Sequence, residues 1–468
     1  MGAIETAPEI TLMPNDIEGL LERLDEYHGM YSPLFRRREQ KGYASKYMEG
    51  LVSDIGNKAI EPMALELFGA DDNEVRGMQH FISEGAWDDD LILSQHQREV
   101  DKDLGDDDGV YIVDGCDFPK QGDESVGVKR QYCGELGKRA NCQAGVFLGY
   151  ASKHGYTILN RRLYLPKEWI KDEAYGQQRK KCSIPKDIEF KTKPELALEM
   201  IEKAVREGTL RGRWMAADEA FGCSEEFLDG VAEVGLWYFA EVPHSTMVWL
   251  KRPRTSIPEW SGYGRKPINE KLVPGEPEAE TVVEIAKSLS ESLWSHHTIK
   301  EGAKGPIEAD FAILQVVASR DGLPGPDVFM IIRRHDKELK IYLCNAPADT
   351  PHDNFIRMSG MRWPIEICFE NGKQLLGMGD YQVRSWIGWH HHMTLCILSH
   401  FFLVRLRVQL KDKAPALTLP QVYVLLKGIL PKPEFDAQLA LDILKYRQRR
   451  NHAAHVSHRK RRAGKEGQ

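Results

Sequence analysis

Hydrophobic and polar positions change their spacing along the chain, and the changes divide it into segments. Residues 15–100 repeat apolar positions about every three to four residues, in stretches such as IEGLLERLDEYHGMY and EVRGMQHFISEGAW. This spacing predicts helices with little strand. The acidic, turn-rich sequence DKDLGDDDG at 101–109 ends the pattern. We therefore expect a helical N-terminal domain over residues 1–100.

The next segment alternates short β-branched and aromatic runs with helical periodicity. Successive antiparallel strands are predicted for GVYIVDGCD, whose apolar run ends at Asp114, and for SVGVKRQYCG, CQAGVFLGYAS and YTILNRRLYLP. PELALEMIEKAVREG predicts an amphipathic helix, and RWMAADEAFG a strand that ends at Asp218. SEEFLDGVAEVG and LWYFAEVP predict a further helix and strand. This order is typical of an α/β core, a mixed sheet flanked by helices.

In residues 243–325 the composition changes, with more proline, glycine and charged residues, which predicts an insertion that is partly β and partly loop. The strands DVFMIIRR and LKIYLCNAP follow it, and then helices. The apolar run in HHHMTLCILSHFFLVRLRV is too short for a membrane span, so we expect a buried core helix. The expected division is 109–242 and 326–412 for the two parts of the core, 243–325 for the insertion, and 413–468 for C-terminal helices and a basic tail.

Composition narrows the class of protein. Hydrophobic residues make up 42% of the chain, and neither a secretory signal nor an apolar run long enough for a bilayer is readable, which predicts a soluble cytoplasmic protein. Eight cysteines without a CxxC pair indicate reduced thiols rather than a structural zinc site. The net charge is −7, but residues 447–468 contain six arginines, two lysines and one glutamate. This tail is either a solvated end or a phosphate-binding arm.

The stretch RWPIEICFENGK at 362–373 combines a core face with a charged edge. On a helix, Arg362, Glu366 and Lys373 fall within about 40° of one another, away from the apolar residues. An ordinary amphipathic helix with an Arg362–Glu366 pair explains this alone. However, Asp114 and Asp218 also stand at predicted strand ends, although aspartates there often cap turns. Three carboxylates that converge repel one another unless cations are bound, and oxygen ligands suit a pair of Mg²⁺ ions.

With these motifs the chain resembles the DDE transposases of bacterial insertion sequences, which are enzymes with a ribonuclease H-like core. Among them it is similar to the IS701 branch. The resemblance runs from about Gly109 to Leu410, and its markers are IVDGCDFPKQG, AADEAFG and RWPIEICFENGKQLLGMGDYQVRSW. Relatives with the Y-R-E-K signature place tyrosine, arginine, glutamate and lysine at the spacing of Ser359, Arg362, Glu366 and Lys373, so serine replaces the tyrosine here. Glu370 competes with Glu366, and Asp117 with Asp114, but the motif spacing favours the first of each pair.

The resemblance implies that Asp114, Asp218 and Glu366 are catalytic and hold two Mg²⁺ ions, for which Mn²⁺ can substitute. Arg362 and Lys373 would bind the DNA backbone. Trp363 takes a position that in some relatives helps to hold a flipped base, although core packing is the more common role of such a tryptophan. Lys129 and Arg130 are further candidates for DNA contact. His390, His391 and His392 do not have metal-site spacing, so we expect a polar helix start beside the active site.

The implied function is cut-and-paste transposition. The protein would bind the inverted repeats of its element as double-stranded DNA, pair two ends in a synaptic homodimer, cleave them and join them to target DNA. It would have no membrane partner and would be nucleoid-associated when bound to DNA. A ribonuclease H-like nuclease without strand transfer and a domesticated, non-catalytic DNA-binding protein are the alternatives.

Overall fold

The computed structural model describes residues 9–260, 262–263, 265–302, 305–336, 338–430 and 436–466. The first eight residues of the expected N-terminal domain and the last two of the basic tail lie outside this range. The chain begins with the helices that the periodicity predicts. They are α1 (Pro14–Glu18), α2 (Leu20–Tyr31), α3 (Arg38–Val52), α4 (Ile60–Phe68), α5 (Asp72–Ser83) and α6 (Asp89–Leu104). Asp71 and Asp88 begin α5 and α6 by accepting backbone N–H groups of the first turn.

The expected α/β segment follows. Its elements are β1 (Val110–Pro119), β2 (Lys129–Cys133), β3 (Lys138–Ser152), β4 (Gly155–Tyr164), α7 (Lys167–Lys171), α8 (Gly176–Lys181), α9 (Lys193–Glu207), β5 (Trp214–Ala217), α10 (Glu219–Gly222), α11 (Glu225–Glu233) and β6 (Trp237–Glu241). The prediction that the first strand ends at Asp114 is wrong. Strand β1 continues to Pro119 because β3 pairs with it along its whole length.

The segment after β6 is more strand-rich than its composition indicates. It contains β7 (Met247–Trp249), β8 (Thr255–Ser256), β9 (Lys271–Leu272), β10 (Glu280–Thr281), α12 (Val282–Ser288), β11 (Ser295–Gly302), β12 (Gly305–Arg320), β13 (Leu323–His335) and β14 (Glu338–Cys344). Strands β12 and β13 form a long antiparallel hairpin. The sheet therefore runs through the expected boundary between residues 325 and 326, and the division into domains stays a prediction.

Twelve of the described strands form one mixed sheet. Its order is β10-β7-β12-β13-β14-β6-β5-β1-β3-β2, with β11 paired to β12 and β4 paired to β3. Strand β1 is antiparallel to β3 and parallel to β5, and β5 is parallel to β6. The expected fold class is confirmed: an α/β protein whose mixed sheet is flanked by helices, as in a ribonuclease H-like core.

Five helices complete the chain: α13 (His352–Met358), α14 (Trp363–Leu376), α15 (Trp386–Gln409), α16 (Leu419–Ile429) and α17 (Ala437–Glu466). Helix α15 is the expected buried core helix, since it is buried along nearly all of its length. It lies between β4 and the N-terminal helices α3, α5 and α6, so helices and sheet share one apolar core. No helix in the described residues combines the length and apolar composition that a membrane span requires.

Candidate active site

The register of two parallel strands brings Asp114 and Asp218 together. Val113 of β1 pairs with Ala217 of β5, and this is the last pair before β5 ends. Each aspartate follows its member of that pair, and neighbouring strands lie about 4.8 Å apart. Strand β5 ends here because the Asp218 carboxylate accepts the Ala220 N–H at 3.1 Å and begins α10. Two carboxylates therefore meet where β1 loses its parallel partner.

Helix α14 carries the third carboxylate, Glu366, to the same place. Ile365 and Phe369 fix the helix against the sheet, Phe369 with its ring centroid 5.2 Å from that of Phe147. Gly149 on β3 permits this approach, because a Cβ there would lie 3.1 Å from an Ile365 methyl group. Burial of this face leaves the opposite, charged edge of α14 over the end of β1. The sequence predicts this edge correctly.

Arg362 connects the carboxylates. Its Nη1 donates to Asp114 Oδ2 at 2.8 Å, and its Nη2 forms an ion pair with Glu366. These side chains and Asp218 line one open cleft of about 600 Å³. Its lining residues are Asp114, Gly115, Cys116, Asp117, Gly134, Glu135, Asp218, Arg362, Glu366, Phe369, Glu370, Lys373 and Gln374. The structure thus brings the three predicted carboxylates into one cleft.

Two of the carboxylates in the cleft are buried enough for their pKa values to shift. Burial raises the pKa of the Asp114 carboxyl to about 7; the charge of Asp218 adds to this shift, and the Arg362 guanidinium opposes it. Burial also raises the pKa of Asp218. Among the described residues, no three acidic, histidine or cysteine side chains form a ready-made metal site. The guanidinium of Arg362 binds two of the carboxylates instead. Carboxylate oxygens are the ligands that hard divalent cations such as Mg²⁺ prefer.

Lys373 and the two competing acids occupy the rim of the cleft. The Lys373 ammonium donates to the Asp117 carbonyl oxygen at 3.2 Å and pairs with the Glu135 carboxylate. The Asp117 carboxylate is used locally, because it accepts the Gly134 N–H at 2.7 Å. Glu370 is exposed and accepts from the Gln374 amide at 3.2 Å. None of the three has a recorded contact with Arg362.

Trp363 does not pack in the core, so the expectation of core packing is wrong. Its side chain is 51% exposed at the start of α14, and the Lys300 ammonium lies 3.9 Å from its ring centroid. Lys300 comes from β11, and it is a residue that the sequence reasoning missed. Burial and the charge of Arg333 lower the pKa of Lys300, while Glu366 raises it. No local pattern identifies Lys300, because β11 reaches α14 only in the folded chain.

Lys129 and Arg130 lie on β2, outside the lining of the cleft. Lys129 pairs with Glu168 at 2.5 Å, and Arg130 is exposed. Their contact with DNA stays a prediction.

The three consecutive histidines are not a polar helix start beside this cleft, as expected from the sequence. All three are buried, His391 and His392 where α15 meets the N-terminal helices and His390 beside Arg161 of β4. His391 stacks on Trp87 with ring centroids 3.6 Å apart, and His392 Nδ1 lies 2.7 Å from the Tyr47 hydroxyl oxygen. His390 Nδ1 donates to the Trp386 carbonyl oxygen at 2.8 Å. Each histidine has its own protein partner, which explains why a helix with this composition is buried.

Comparison with known families identifies the class of enzyme. The model of the DDE superfamily endonucleases matches residues 30–306, more than half of the chain. The chain belongs to this family. The matched range contains Asp114 and Asp218, whereas Glu366 lies beyond it.

A curated relative narrows the assignment. The probable transposase for insertion sequence element IS701 from Microchaete diplosiphon is 26% identical over 382 residues, which cover 80% of this chain and 85% of the relative. The resemblance seen in the sequence is thus confirmed: the chain belongs to the DDE superfamily endonucleases and is similar to a transposase of the IS701 element. The cryo-EM structure of a piggyBac transposase synaptic complex with hairpin DNA aligns with 92% of this chain and 85% of its own, at a TM-score of 0.38 and 9% identity. That likeness is weak, and the assignment rests on the sequence matches.

Proposed function

We propose that Asp114, Asp218 and Glu366 are the catalytic residues of this transposase and hold two Mg²⁺ ions, for which Mn²⁺ can substitute. The observation that carries the proposal is the Arg362 guanidinium, which binds Asp114 and Glu366 in a cleft that Asp218 also lines. A cation already binds two of these carboxylates, and burial together with the charge of Asp218 still raises the pKa of the Asp114 carboxyl. When bound, the metal ions activate the attacking hydroxyl group and stabilise the leaving oxygen.

The side chains around the carboxylates have separate roles in this proposal. Arg362 keeps Asp114 and Glu366 from repelling each other before metal binds, and it then turns to a backbone phosphate, for which its planar fork is suited. Lys373 contacts the phosphate on the other side of the cleft. Trp363 offers an exposed ring on which a base from the DNA end can stack, once Lys300 moves from that ring to a phosphate.

The substrate in this proposal is double-stranded DNA, namely the inverted repeats of the element and the target. Water attacks the phosphodiester bond at each end, the 3′ oxygen leaves with a proton, and a 3′ hydroxyl group results. This hydroxyl group then attacks a target phosphodiester bond, and the displaced 3′ oxygen is protonated in turn. No covalent protein intermediate is needed. Two protomers pair the ends, the N-terminal helices help to recognise or pair them, and the enzyme works in the cytoplasm, nucleoid-associated when bound to DNA.

Incubation of the purified protein with its own element ends and Mg²⁺ tests the proposal. We expect wild type to nick the ends and Glu366→Gln to bind them without nicking. Glu370→Gln is the matched control, because this residue stands one turn away on the same helix and lines the same cleft. Equal loss in both variants, or nicking by Glu366→Gln, contradicts the assignment of Glu366. A precleaved end that is not joined to target DNA favours the nuclease without strand transfer.

A further inference from the structure

Helix α17 leaves the body of the protein after its first ten residues. Tyr446 is the last fully buried side chain among its described side chains, which extend to residue 460 and include 462. Arg449 then pairs with Asp72 of α5 at 3.0 Å, and Arg450 with Glu61 of α4 at 3.7 Å. Beyond Arg450 the helix continues to residue 466, a further length of about 24 Å. We refer to residues 447–466 as the basic extension.

The basic extension carries positive charge on every side. The sequence contains no acidic residue between Asp442 and Glu466, whereas arginine stands at 447, 449, 450, 459, 461 and 462 and lysine at 460 and 465. At 100° per residue, Arg447, Arg459 and Lys460 project at about 0°, 120° and 220°. From 451 to 460 every side chain is exposed except that of Val456, which is half-buried. No ion pair involves the described side chains of residues 451–460 and 462.

Apart from the ion pairs of Arg449 and Arg450, little in the protein stabilises such a helix. It has no apolar stripe to bury, and its sequence contains one opposite-charge pair three or four residues apart, Arg462 and Glu466 at the end of the helix. Most helical stability in proteins comes from packing of an amphipathic face, which this segment lacks, and like charges three or four residues apart weaken it further. A polyanion that neutralises all its faces would stabilise it.

We propose that the basic extension binds the backbone of duplex DNA, independently of base sequence. The major groove is about 12 Å wide, which admits one α-helix, and a helix that is basic all round can contact the phosphates of both strands there. An anionic membrane surface fits less well, because a helix that lies on a bilayer needs an apolar face, and this one offers only Ala453, Ala454 and Val456. This inference rests on the proposed function for the identity of the polyanion, since DNA is the proposed substrate.

The test measures DNA binding without cleavage. A labelled duplex of random sequence is titrated with the full-length chain, in a Glu366→Gln background with EDTA, over a series of salt concentrations. The test variant combines Arg459→Gln, Lys460→Gln and Arg462→Gln. We expect the slope of log K against log salt to become shallower by up to about 2.7, with affinity near 100 mM salt weaker by about ten-fold or more. Circular dichroism checks that the variant stays folded.

A second triple variant removes the same charge elsewhere. Arg76→Gln, Arg98→Gln and Arg206→Gln alter exposed arginines on α5, α6 and α9. We expect this control to change the slope by less than about one. Equal effects in both triple variants, or an unchanged slope in the first, overturn the inference. Binding of the extension to phosphatidylserine vesicles with no effect of the variant on DNA overturns it as well.

Failure of this inference is distinguishable from failure of the proposed function. If the Arg459, Lys460 and Arg462 variant binds DNA normally while Glu366→Gln in the wild-type background abolishes nicking, only the inference is wrong. If Glu366→Gln still nicks, the catalytic assignment is wrong and the binding result is unaffected, because it is measured without metal.

Discussion

Arg362 and Asp114 are 248 residues apart in the chain, and their side chains are joined by a hydrogen bond of 2.8 Å. The same guanidinium also binds Glu366 one helical turn away. An arginine thus balances two of the proposed metal ligands. If metal and guanidinium compete for these carboxylates, the competition is measurable.

We expect Arg362→Gln to lower the free energy of unfolding by about 1–3 kcal/mol without divalent cations, because two partly buried carboxylates lose their cation. Saturating Mg²⁺ then stabilises the variant more than it stabilises wild type, since no guanidinium has to be displaced. Urea denaturation with and without Mg²⁺ measures both effects. The control is Arg320→Gln, which breaks the 2.7 Å pair with Asp229 outside the cleft. An equal Mg²⁺ response in the two variants contradicts the competition.

Asp114→Asn tests the first carboxylate with almost no change of shape. We expect end cleavage to fall by more than about a hundred-fold. Even mutation of a residue that only hydrogen-bonds to a metal ligand lowers metal affinity or activity by about 10–100-fold. Binding of the DNA end should stay within about three-fold of wild type. Asp117→Asn is the matched control on the same strand, because its side chain only accepts a backbone N–H and an amide oxygen can do the same. A comparable loss of cleavage in Asp117→Asn would contradict the assignment of Asp114 as the catalytic aspartate of this strand.

The exposed ring of Trp363 predicts a loss of function without a loss of stability. We expect Trp363→Ala to change the free energy of unfolding by no more than about 0.5 kcal/mol. Trp389→Ala, by contrast, should cost about 3–5 kcal/mol, because that ring is fully buried. We expect Trp363→Ala to cleave the element end at a lower rate, which a cleavage assay at limiting enzyme measures. A large destabilisation by Trp363→Ala would indicate that this side chain contributes to core packing.

The buried histidines predict how stability depends on pH. Burial lowers the pKa of His96 to about 4 and that of His392 to about 3, well below the ordinary value of about 6.5. The unfolded chain therefore binds more protons between pH 4 and 6.5. Stability should be fully present above about pH 6.5 and should fall as the pH is lowered through this window, by about 1.4 kcal/mol for each unit of pKa shift.

Urea denaturation of wild type and His392→Gln across this window measures the effect. We expect a smaller loss of stability in His392→Gln, because one group that takes up a proton on unfolding is gone. His80→Gln serves as the control, since His80 is exposed on α5. Parallel pH curves for wild type and His392→Gln would show that His392 does not contribute.

Much of the candidate site could be predicted from the sequence because the relevant patterns are local. The charged edge of α14 follows from helical spacing within residues 362–373, and Asp218 follows directly on a short apolar strand. The sequence pattern indicates Asp114 for a reason that is partly wrong. Strand β1 does not end there, and what makes the position special is that its parallel neighbour β5 ends at the same level.

The sequence by itself determined the class of fold, the helices before β1, the charged edge of α14 and the basic charge of residues 447–468. Spacing along a helix or strand and charge composition are properties of neighbouring residues, so they can be read without a partner. Only the tertiary structure decided that Arg362 binds Asp114, that Lys300 covers an exposed Trp363, and that His390, His391 and His392 are buried. These outcomes depend on strand register and on which faces meet, which are set by contacts between residues far apart in the chain.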